Sequence, residues 1–102
     1  MSDYESFSDL NRLIHEPGRL AIVAVLNAVD QADFLFLLNQ TGLTRGNLSS
    51  HTAKLETAGY ITIEKAFVEK VPRTVYRLTA AGRDALSRYR THMGLVLETF
   101  ND

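Results

Sequence analysis

The stretch TGLTRGNLSSHTAKLETAGYI, from Thr41 to Ile61, predicts two helices that are separated by a very short turn. Gly42 is suited to end the first helix in a left-handed conformation, and Thr44 is suited to cap the start of the second. The second helix is predicted to run to about Ala58, because Gly59 again provides a C-terminal glycine signal. Two capped helices with a short connection predict a helix-turn-helix.

The first helix of this pair is FLFLLNQT, and Asp33 is its predicted N-cap. Phe34, Leu37 and Leu38 form one apolar stripe along it. Leu35 and Phe36 widen the stripe, so we expect this helix to be buried on two sides.

Two further helices are predicted upstream. Ser8 or Asp9 can cap a short helix whose apolar face is Leu10, Leu13 and Ile14. Pro17 suits the first turn of the next helix, which runs until Asp30 interrupts its pattern. Apolar residues recur in that helix at helical intervals: Leu20, Val23, Ala24, Leu26 and Val29.

Downstream of the helix pair, the alternation of apolar and polar residues predicts a β-hairpin. Ile61 and Ile63 alternate with polar residues as a half-buried strand should, and Tyr76 and Leu78 do the same in a return strand. The charged loop between the strands contains Pro72. We expect this hairpin to project beside the helix pair as a basic wing.

Thr79 is the predicted cap of a last helix of about twenty residues. Its apolar positions are separated by three and four residues, and a helix of this length extends beyond so small a body. We therefore expect its far end to pack against a second copy of the chain. The residues predicted for this dimer interface are Leu10, Leu13, Tyr89, Met93, Val96, Leu97 and Phe100.

The element order predicts a mainly α protein with a small β-hairpin (α+β), namely a winged helix-turn-helix with N- and C-terminal helices for dimerisation. One domain is expected over residues 1–102. Within it, residues 1–29 form the N-terminal helices, 30–78 the helix-turn-helix and wing, and 79–102 the C-terminal dimerisation helix.

Composition limits the class of protein. A chain of 102 residues with 45% hydrophobic content supports one core but not two. The absence of cysteine excludes disulfides and thiolate sites. The acidic first residues do not resemble a signal peptide, and the longest strongly apolar run, Leu20 to Leu26, is too short to span a membrane. We expect a soluble, cytoplasmic protein with no membrane partner.

Charge is distributed unevenly, although the net charge is only −1. Between Thr41 and Arg77 there are six basic residues (Arg45, Lys54, Lys65, Lys70, Arg73 and Arg77) and three acidic residues (Glu56, Glu64 and Glu69). The rest of the chain has five basic and nine acidic residues. Since binding to a polyanion depends on clustered lysine and arginine, this segment is the predicted nucleic-acid interface.

The second helix of the pair has the composition of a reading helix. Leu48 and Leu55 are seven residues apart and define its buried side, while small residues dominate the opposite side and allow close approach to base edges. Arg45 can recognise guanine, and Asn47 can recognise adenine. The predicted contacts to double-stranded DNA from this helix and the wing are Thr44, Arg45, Asn47, Ser49, Ser50, Lys54, Lys70 and Arg73.

The histidines give little support for catalysis or metal binding. His15, His51 and His92 lie on different predicted elements, and no nucleophile or carboxylate has a catalytic spacing with them. His51 is expected to pack at the edge of the helix pair and to bond to backbone. His92 and Glu98 fall on different faces of the last helix. We expect no enzymatic activity, no cofactor and no metal.

These residues also carry a family resemblance. With LTRGNLSSHTAKLETAGYI followed by PRTVYRLTAAG, the chain resembles small winged-helix transcriptional regulators of the broad MarR-like and ArsR-like group, over about Asp30 to Leu86. The resemblance implies a homodimer in which the helix matching Thr44 to Ala58 enters the major groove and the hairpin matching Ile61 to Leu78 is the wing. It also implies that Arg73 is the wing arginine.

Two alternatives to a simple DNA-binding regulator remain open. One is a winged helix used as a protein–protein interaction module, since fold alone does not dictate function. The other is a ligand- or metal-responsive repressor. The chain lacks the cysteines and paired histidines of the metal-sensing members, and it lacks the room that larger drug-responsive members give to an effector pocket.

Overall fold

The computed structural model describes residues 10–100, and their architecture confirms the predicted winged helix-turn-helix of the α+β class. Its helices are α1 (Pro17–Ala28), α2 (Phe34–Thr41), α3 (Arg45–Thr57) and α4 (Ala80–Glu98). Its strands are β1 (Ala32–Asp33), β2 (Ile61–Val68) and β3 (Val71–Leu78).

Helix α1 begins at Pro17, as predicted, because the Glu16 side chain accepts a hydrogen bond from the Gly18 N–H and caps the first turn. Its buried face includes Ile22, Val23 and Leu26. Ala24 is exposed, so its predicted place on the apolar face was wrong.

The predicted helix around Leu10 to Ile14 was wrong for the part that the structure describes, which is a turn; Ser8 and Asp9 lie outside the described residues. The Asn11 side-chain oxygen accepts hydrogen bonds from the backbone N–H groups of Leu13 and Ile14, at 3.0 and 3.1 Å. This asparagine therefore offers the backbone an alternative to helical bonding. Ile14 nevertheless becomes fully buried.

Helices α2 and α3 form the predicted pair. The Asp33 side chain caps α2 by accepting from the Phe36 N–H, and Gly42 ends the helix with φ of 70°. Leu37, together with Leu48 and Leu55 of α3, is completely buried between the helices and the sheet.

The predicted burial of α2 on two sides was wrong. Leu35 and Phe36 are 55% and 40% exposed, because this eight-residue helix packs on the core mainly through the face that carries Leu37. The long apolar run did not distinguish a doubly buried helix from one with an apolar outer surface.

The sheet has the strand order β1-β3-β2, with both pairings antiparallel. The two-residue strand β1 was not predicted, since it is too short to show a period. The β2–β3 turn consists only of Glu69 and Lys70, with φ of 52° and 67°. Positive φ at both positions is what a type I′ hairpin turn requires. Pro72 therefore lies inside β3 and not in a loop.

Helix α4 packs its first half on the body through a second apolar cluster of Ile14, Ala85 and Tyr89. Gly82 is buried at its start, where an added Cβ would lie 2.2 Å from the Tyr60 carbonyl oxygen. None of the helices that the structure describes is long and apolar enough to cross a membrane.

The last turns of α4 expose apolar side chains, with Leu97 and Phe100 at 49% and 67% exposure. Two other residues predicted for the dimer interface, Tyr89 and Val96, are 6% and 3% exposed in the single chain. They have little surface left for a second copy, because the stripe that was predicted as an interface is largely used within the chain itself.

Candidate nucleic-acid interface

The outer face of α3 is the main polar surface of the helix pair. Leu48, Thr52 and Leu55 are its buried residues. The buried hydroxyl of Thr52 has a hydrogen-bond partner, because it donates to the Leu48 carbonyl at 2.9 Å. The exposed positions are mostly small or polar, and they include every α3 residue predicted to contact DNA: Arg45, Asn47, Ser49, Ser50 and Lys54.

The N-terminus of α3 is shaped by a cap and an aromatic ring. The Thr44 side chain accepts a hydrogen bond from the Asn47 N–H at 3.1 Å, so its hydroxyl already has a structural role. The Arg45 guanidinium lies over the Phe34 ring, 5.7 Å from its centroid. A cation held over a ring in this way is pre-oriented at the start of the helix, where backbone N–H groups also favour phosphate.

His51 attaches α3 to the start of α1. The Arg19 Nη1 lies 3.1 Å from His51 Nδ1, and His51 Nε2 lies 3.3 Å from Glu16 Oε2. Because arginine only donates, Nδ1 accepts, and the proton of neutral His51 is assigned to Nε2, facing Glu16. His51 thus packs at the edge of the pair, as predicted, but its partners are side chains and not backbone.

The Glu16 carboxyl of this cluster has an altered pKa. Its partial burial raises the pKa, but hydrogen bonds from the Gly18 and Arg19 backbone and the electrostatic effect of the adjacent His51 and Arg19 side chains together lower it below its usual value. The cluster leaves no room at Gly18, where an added Cβ would lie 2.8 Å from the His51 ring. Sequence reasoning missed this cluster, because His51 is 32 positions from Arg19 in the chain.

Arg73 of the wing is tied to the body. Its Nη1 lies 2.9 Å from Asp33 Oδ2, while the other carboxylate oxygen of Asp33 caps α2. The arginine side chain is still 47% exposed. Asp33 therefore joins the wing to the helix pair, and Arg73 holds the position of the wing in addition to presenting charge.

Strand register separates the two faces of the wing. Ile63 pairs with Tyr76, and the next pair on that face is Lys65 with Thr74. Arg73 pairs with Ala66 and so belongs to the opposite face. Lys65 thus shares the face of Ile63 but lies nearer the turn, where its side chain is exposed. The DNA contacts predicted from the sequence did not include it, although its i+2 spacing from Ile63 places it on that face.

The basic residues of this region differ in whether they are paired. Arg77 contacts Glu64 at 3.6 Å and also donates to Gln31. Among the residues that the structure describes, four cations of the helix-turn-helix and wing have no acidic side chain within ion-pair distance: Arg45, Lys54, Lys65 and Lys70. These are the charges most available to a polyanion.

A separate cleft lies beside α4, with a volume of about 410 Å³. Tyr60, Arg88, Tyr89 and His92 are among its lining residues. Within residues 10–100, no group of three or more histidine, cysteine, aspartate or glutamate side chains is arranged to hold a metal ion.

The comparisons with known proteins agree with this arrangement. The family model described as a winged helix DNA-binding domain matches residues 19–96. The protein MJ0432 of Methanocaldococcus jannaschii is 32% identical over 78 residues, which cover 76% of this chain and 85% of the relative. A transcriptional regulator homologue from Pyrococcus horikoshii OT3 is 26% identical, with full coverage of both chains and a TM-score of 0.87.

More distant structures share the fold. NadR in complex with 4-hydroxyphenylacetate is 25% identical with a TM-score of 0.69, and this chain covers 66% of it. A MarR-family regulator from Silicibacter pomeroyi, at 20% identity and a TM-score of 0.66, supports the fold alone; 96% of this chain aligns to 65% of that one. The protein therefore belongs to the winged helix DNA-binding domain family, and its fold is that of MarR-like transcriptional regulators.

Proposed function

We propose that this protein is a sequence-selective transcriptional regulator that binds double-stranded DNA as a homodimer. The observation that carries the proposal is the outer face of α3, where small residues lie between Arg45 and Lys54, two cations without an ion-pair partner among the described residues. A helix with such a face can approach base edges closely while its cations contact phosphates. The membership in a DNA-binding family supports the same conclusion.

In this proposal, α3 enters the major groove. Arg45 has the forked donors that suit guanine, and Asn47 has the amide that suits adenine. Thr44 and the serines Ser49 and Ser50 then contact the backbone and nearby bases. A structural neighbour, the repressor CouR, is described bound to a 23-mer DNA duplex, at 18% identity and a TM-score of 0.70.

The wing from Val68 to Arg73 would meet the flanking backbone or minor groove through Lys70 and Arg73. Two chains would pair through their terminal segments, with Leu97 and Phe100 as the most exposed apolar residues of the predicted interface. The two recognition helices would then reach successive major grooves, roughly 34 Å apart for half-sites one turn apart.

Selection of bound fragments from random duplex DNA, with sizing of the complex, tests this function. We expect Lys54→Ala to weaken binding to all sequences and to reduce the salt dependence by about one counterion. Arg45→Ala should in addition relax the base preference at one position of each half-site, at a cost of about 1–3 kcal/mol there.

The matched control is Arg90→Ala, which removes the same charge from an exposed position on α4. It should leave affinity and selectivity nearly unchanged. If Lys54→Ala and Arg73→Ala both leave the affinity for random duplex unchanged at low salt, the proposed face is wrong.

Ligand control is a second candidate function, favoured by the cleft of about 410 Å³ beside α4. The structure of the neighbour NadR contains 4-hydroxyphenylacetate, so an aromatic carboxylate is a reasonable first probe. Thermal unfolding with and without millimolar 4-hydroxyphenylacetate tests this candidate. A specific ligand should raise the midpoint, and Arg88→Ala should remove the effect.

A further inference from the structure

His51 fastens the middle of α3 to the start of α1. Leu48 and Leu55, which anchor α3 in the core, lie three residues before it and four residues after it. Its Nδ1 lies 3.1 Å from Arg19 Nη1, and its ring packs so closely on Gly18 that an added Cβ there would lie 2.8 Å away. A change at this ring is therefore transmitted to α3, because the ring has little space in which to move alone.

Arg19 is itself fixed by groups other than His51. Its Nε donates to the Leu13 carbonyl at 2.5 Å, and its Nη1 lies 3.8 Å from Glu16 Oε2. The arginine side chain is only 13% exposed. An arginine held in this way keeps a donor directed at His51, so the ring nitrogen that faces it must accept.

Protonation of His51 conflicts with this arrangement. Both ring nitrogens of an imidazolium donate, so no rotation of the ring restores an acceptor for Arg19, and two positive charges would face each other. A second partner lies nearby. Glu16 Oε2 is buried and has no hydrogen-bond partner among the described residues, and His51 Nε2 lies 3.3 Å from it but out of hydrogen-bond alignment. Neutral His51 therefore suits Arg19, whereas protonated His51 suits Glu16.

We propose that His51 is a pH-sensitive positioning residue for DNA binding. Its neutral form ties α3 to α1 in the arrangement that presents the outer face of α3, and its protonated form leaves Arg19 and shifts the helix. This rests on the proposed function and adds regulation by pH to it. Histidine is the side chain that ordinarily changes its charge between about pH 5 and 8. DNA affinity should therefore fall as the pH drops through that range.

Other charged groups near α3 do not offer His51 a different partner. Of the elements packed on α3, α2 has no titratable side chain, and Arg19 is the charged residue of α1. On β2, Glu64 contacts Arg77, and on α3 itself Lys54 is exposed. Among the described residues, the remaining charged or titratable side chains of these elements and of the turn before α1 form no ion pair or hydrogen bond with His51: Arg12, His15, Arg45, Glu56 and Lys65.

The direction of the effect separates this mechanism from simple charge. A cation added near DNA ordinarily strengthens binding, so protonation of a histidine without a positioning role should raise the affinity at low pH. Release of the tie between α3 and α1 has the opposite sign. We expect the affinity of the wild type for the selected duplex to be about tenfold lower at about pH 5.5 than at about pH 7.5, which is an ordinary size for such a coupling.

The experiment measures this affinity by fluorescence anisotropy at constant ionic strength across the pH range. His51→Gln has an amide that can accept from Arg19 or donate to Glu16 but does not titrate, so the ratio of its affinities at the two pH values should approach one. Arg19→Met removes the donor that conflicts with the imidazolium, so the loss in acid should disappear there too. His92→Gln is the matched control, since it removes an imidazole from α4 and should keep the wild-type ratio. Circular dichroism at each pH checks that every variant is folded.

Other outcomes overturn the proposal. A wild-type affinity that is equal at both pH values, or higher at the lower one, means that protonation of His51 does not release α3. A loss in acid that persists in both His51→Gln and Arg19→Met assigns the effect to another group. A folded wild type that binds no duplex at either pH contradicts the proposed function instead, and this result is distinct from DNA binding without pH dependence.

Discussion

At the scale of single residues, two helical glycines differ in whether packing within the chain requires them. A Cβ at Gly82 would meet the Tyr60 carbonyl carbon and oxygen, so Gly82 is needed for packing. Outside its own helical turn, a Cβ at Gly46 would have no atom of residues 10–100 within 4 Å, so packing among these residues does not require glycine there. Gly46 lies in the first turn of α3, beside Arg45. A close approach of DNA to the helix backbone would give this glycine a reason.

We predict that Gly46→Ala stabilises the protein and weakens DNA binding. Alanine is favoured over glycine in a helix by up to about 1 kcal/mol, so the midpoint of thermal unfolding should rise. The added methyl group would obstruct the approach of DNA, so the dissociation constant should rise as well. A stabilised variant that binds DNA as tightly as the wild type would contradict the close approach.

The Glu16 carboxyl supports a second prediction, on pH. Its pKa is lowered in the folded chain, so its ionised form stabilises the fold above the unfolded pKa, and this contribution is lost as the pH falls through the lowered value. Glu16→Gln should therefore be less stable than the wild type at pH 7, and the difference should shrink below about pH 4.5. Urea unfolding at pH 7 and pH 3.5 measures it; a difference independent of pH would show that ionisation contributes nothing.

At the scale of elements, the two residues of the wing turn are not the types that best suit its backbone conformation. Glu69 and Lys70 both adopt positive φ, a conformation that asparagine and glycine accept more readily. The strands continue in register up to Val68 and Val71 on either side of the turn. The turn is therefore short and well formed, and its residues contribute charge at some conformational cost.

We predict that Glu69→Asn improves both stability and binding. Asparagine suits the first turn position, which should stabilise the hairpin by about 0.5–1 kcal/mol. Loss of a carboxylate beside Lys70 should also tighten DNA binding. Thermal unfolding and a binding titration at low salt measure the two effects. A stabilised variant with unchanged affinity would mean that the wing lies away from the phosphates.

At the scale of the whole molecule, the chain is elongated, with principal extents of 56 × 25 × 20 Å. Helix α4, at 19 residues, is about 28 Å long. Its last turns expose Leu97 and Phe100, whereas Tyr89 and Val96 are buried by packing within the chain. A contact between two chains would therefore involve only the exposed end of α4, and not the whole apolar stripe that the sequence shows.

We predict that Leu97→Glu prevents assembly of the proposed homodimer and strongly reduces affinity for a two-half-site duplex, because a single chain holds only one recognition helix. Sedimentation velocity and a titration with the selected duplex measure these effects. Leu35→Glu is the matched control for assembly, since Leu35 is similarly exposed at 55% but lies on α2. If both variants remain dimeric, the interface lies elsewhere.

Local sequence signals predicted the helix pair, its caps and the hairpin. The side chains of Asp33 and Thr44 accept hydrogen bonds from backbone N–H groups three residues further on, and Gly42 ends its helix in a left-handed conformation. These roles involve only neighbours in the chain, so the sequence alone could predict them. The polar outer face of α3 could also be predicted from the sequence, because the spacing of Leu48 and Leu55 alone defines the buried side of the helix.

Tertiary structure decided which of these residues are available. Arg73 is bound to Asp33, which is forty positions away, and His51 bonds to side chains at the start of α1. The two-residue strand β1 exists only because β3 lies beside it. Charge and periodicity are properties of neighbours in the chain, whereas pairing and burial depend on neighbours in space. The sequence by itself determined the elements and their polar faces, and only the folded chain determined which cations stay free.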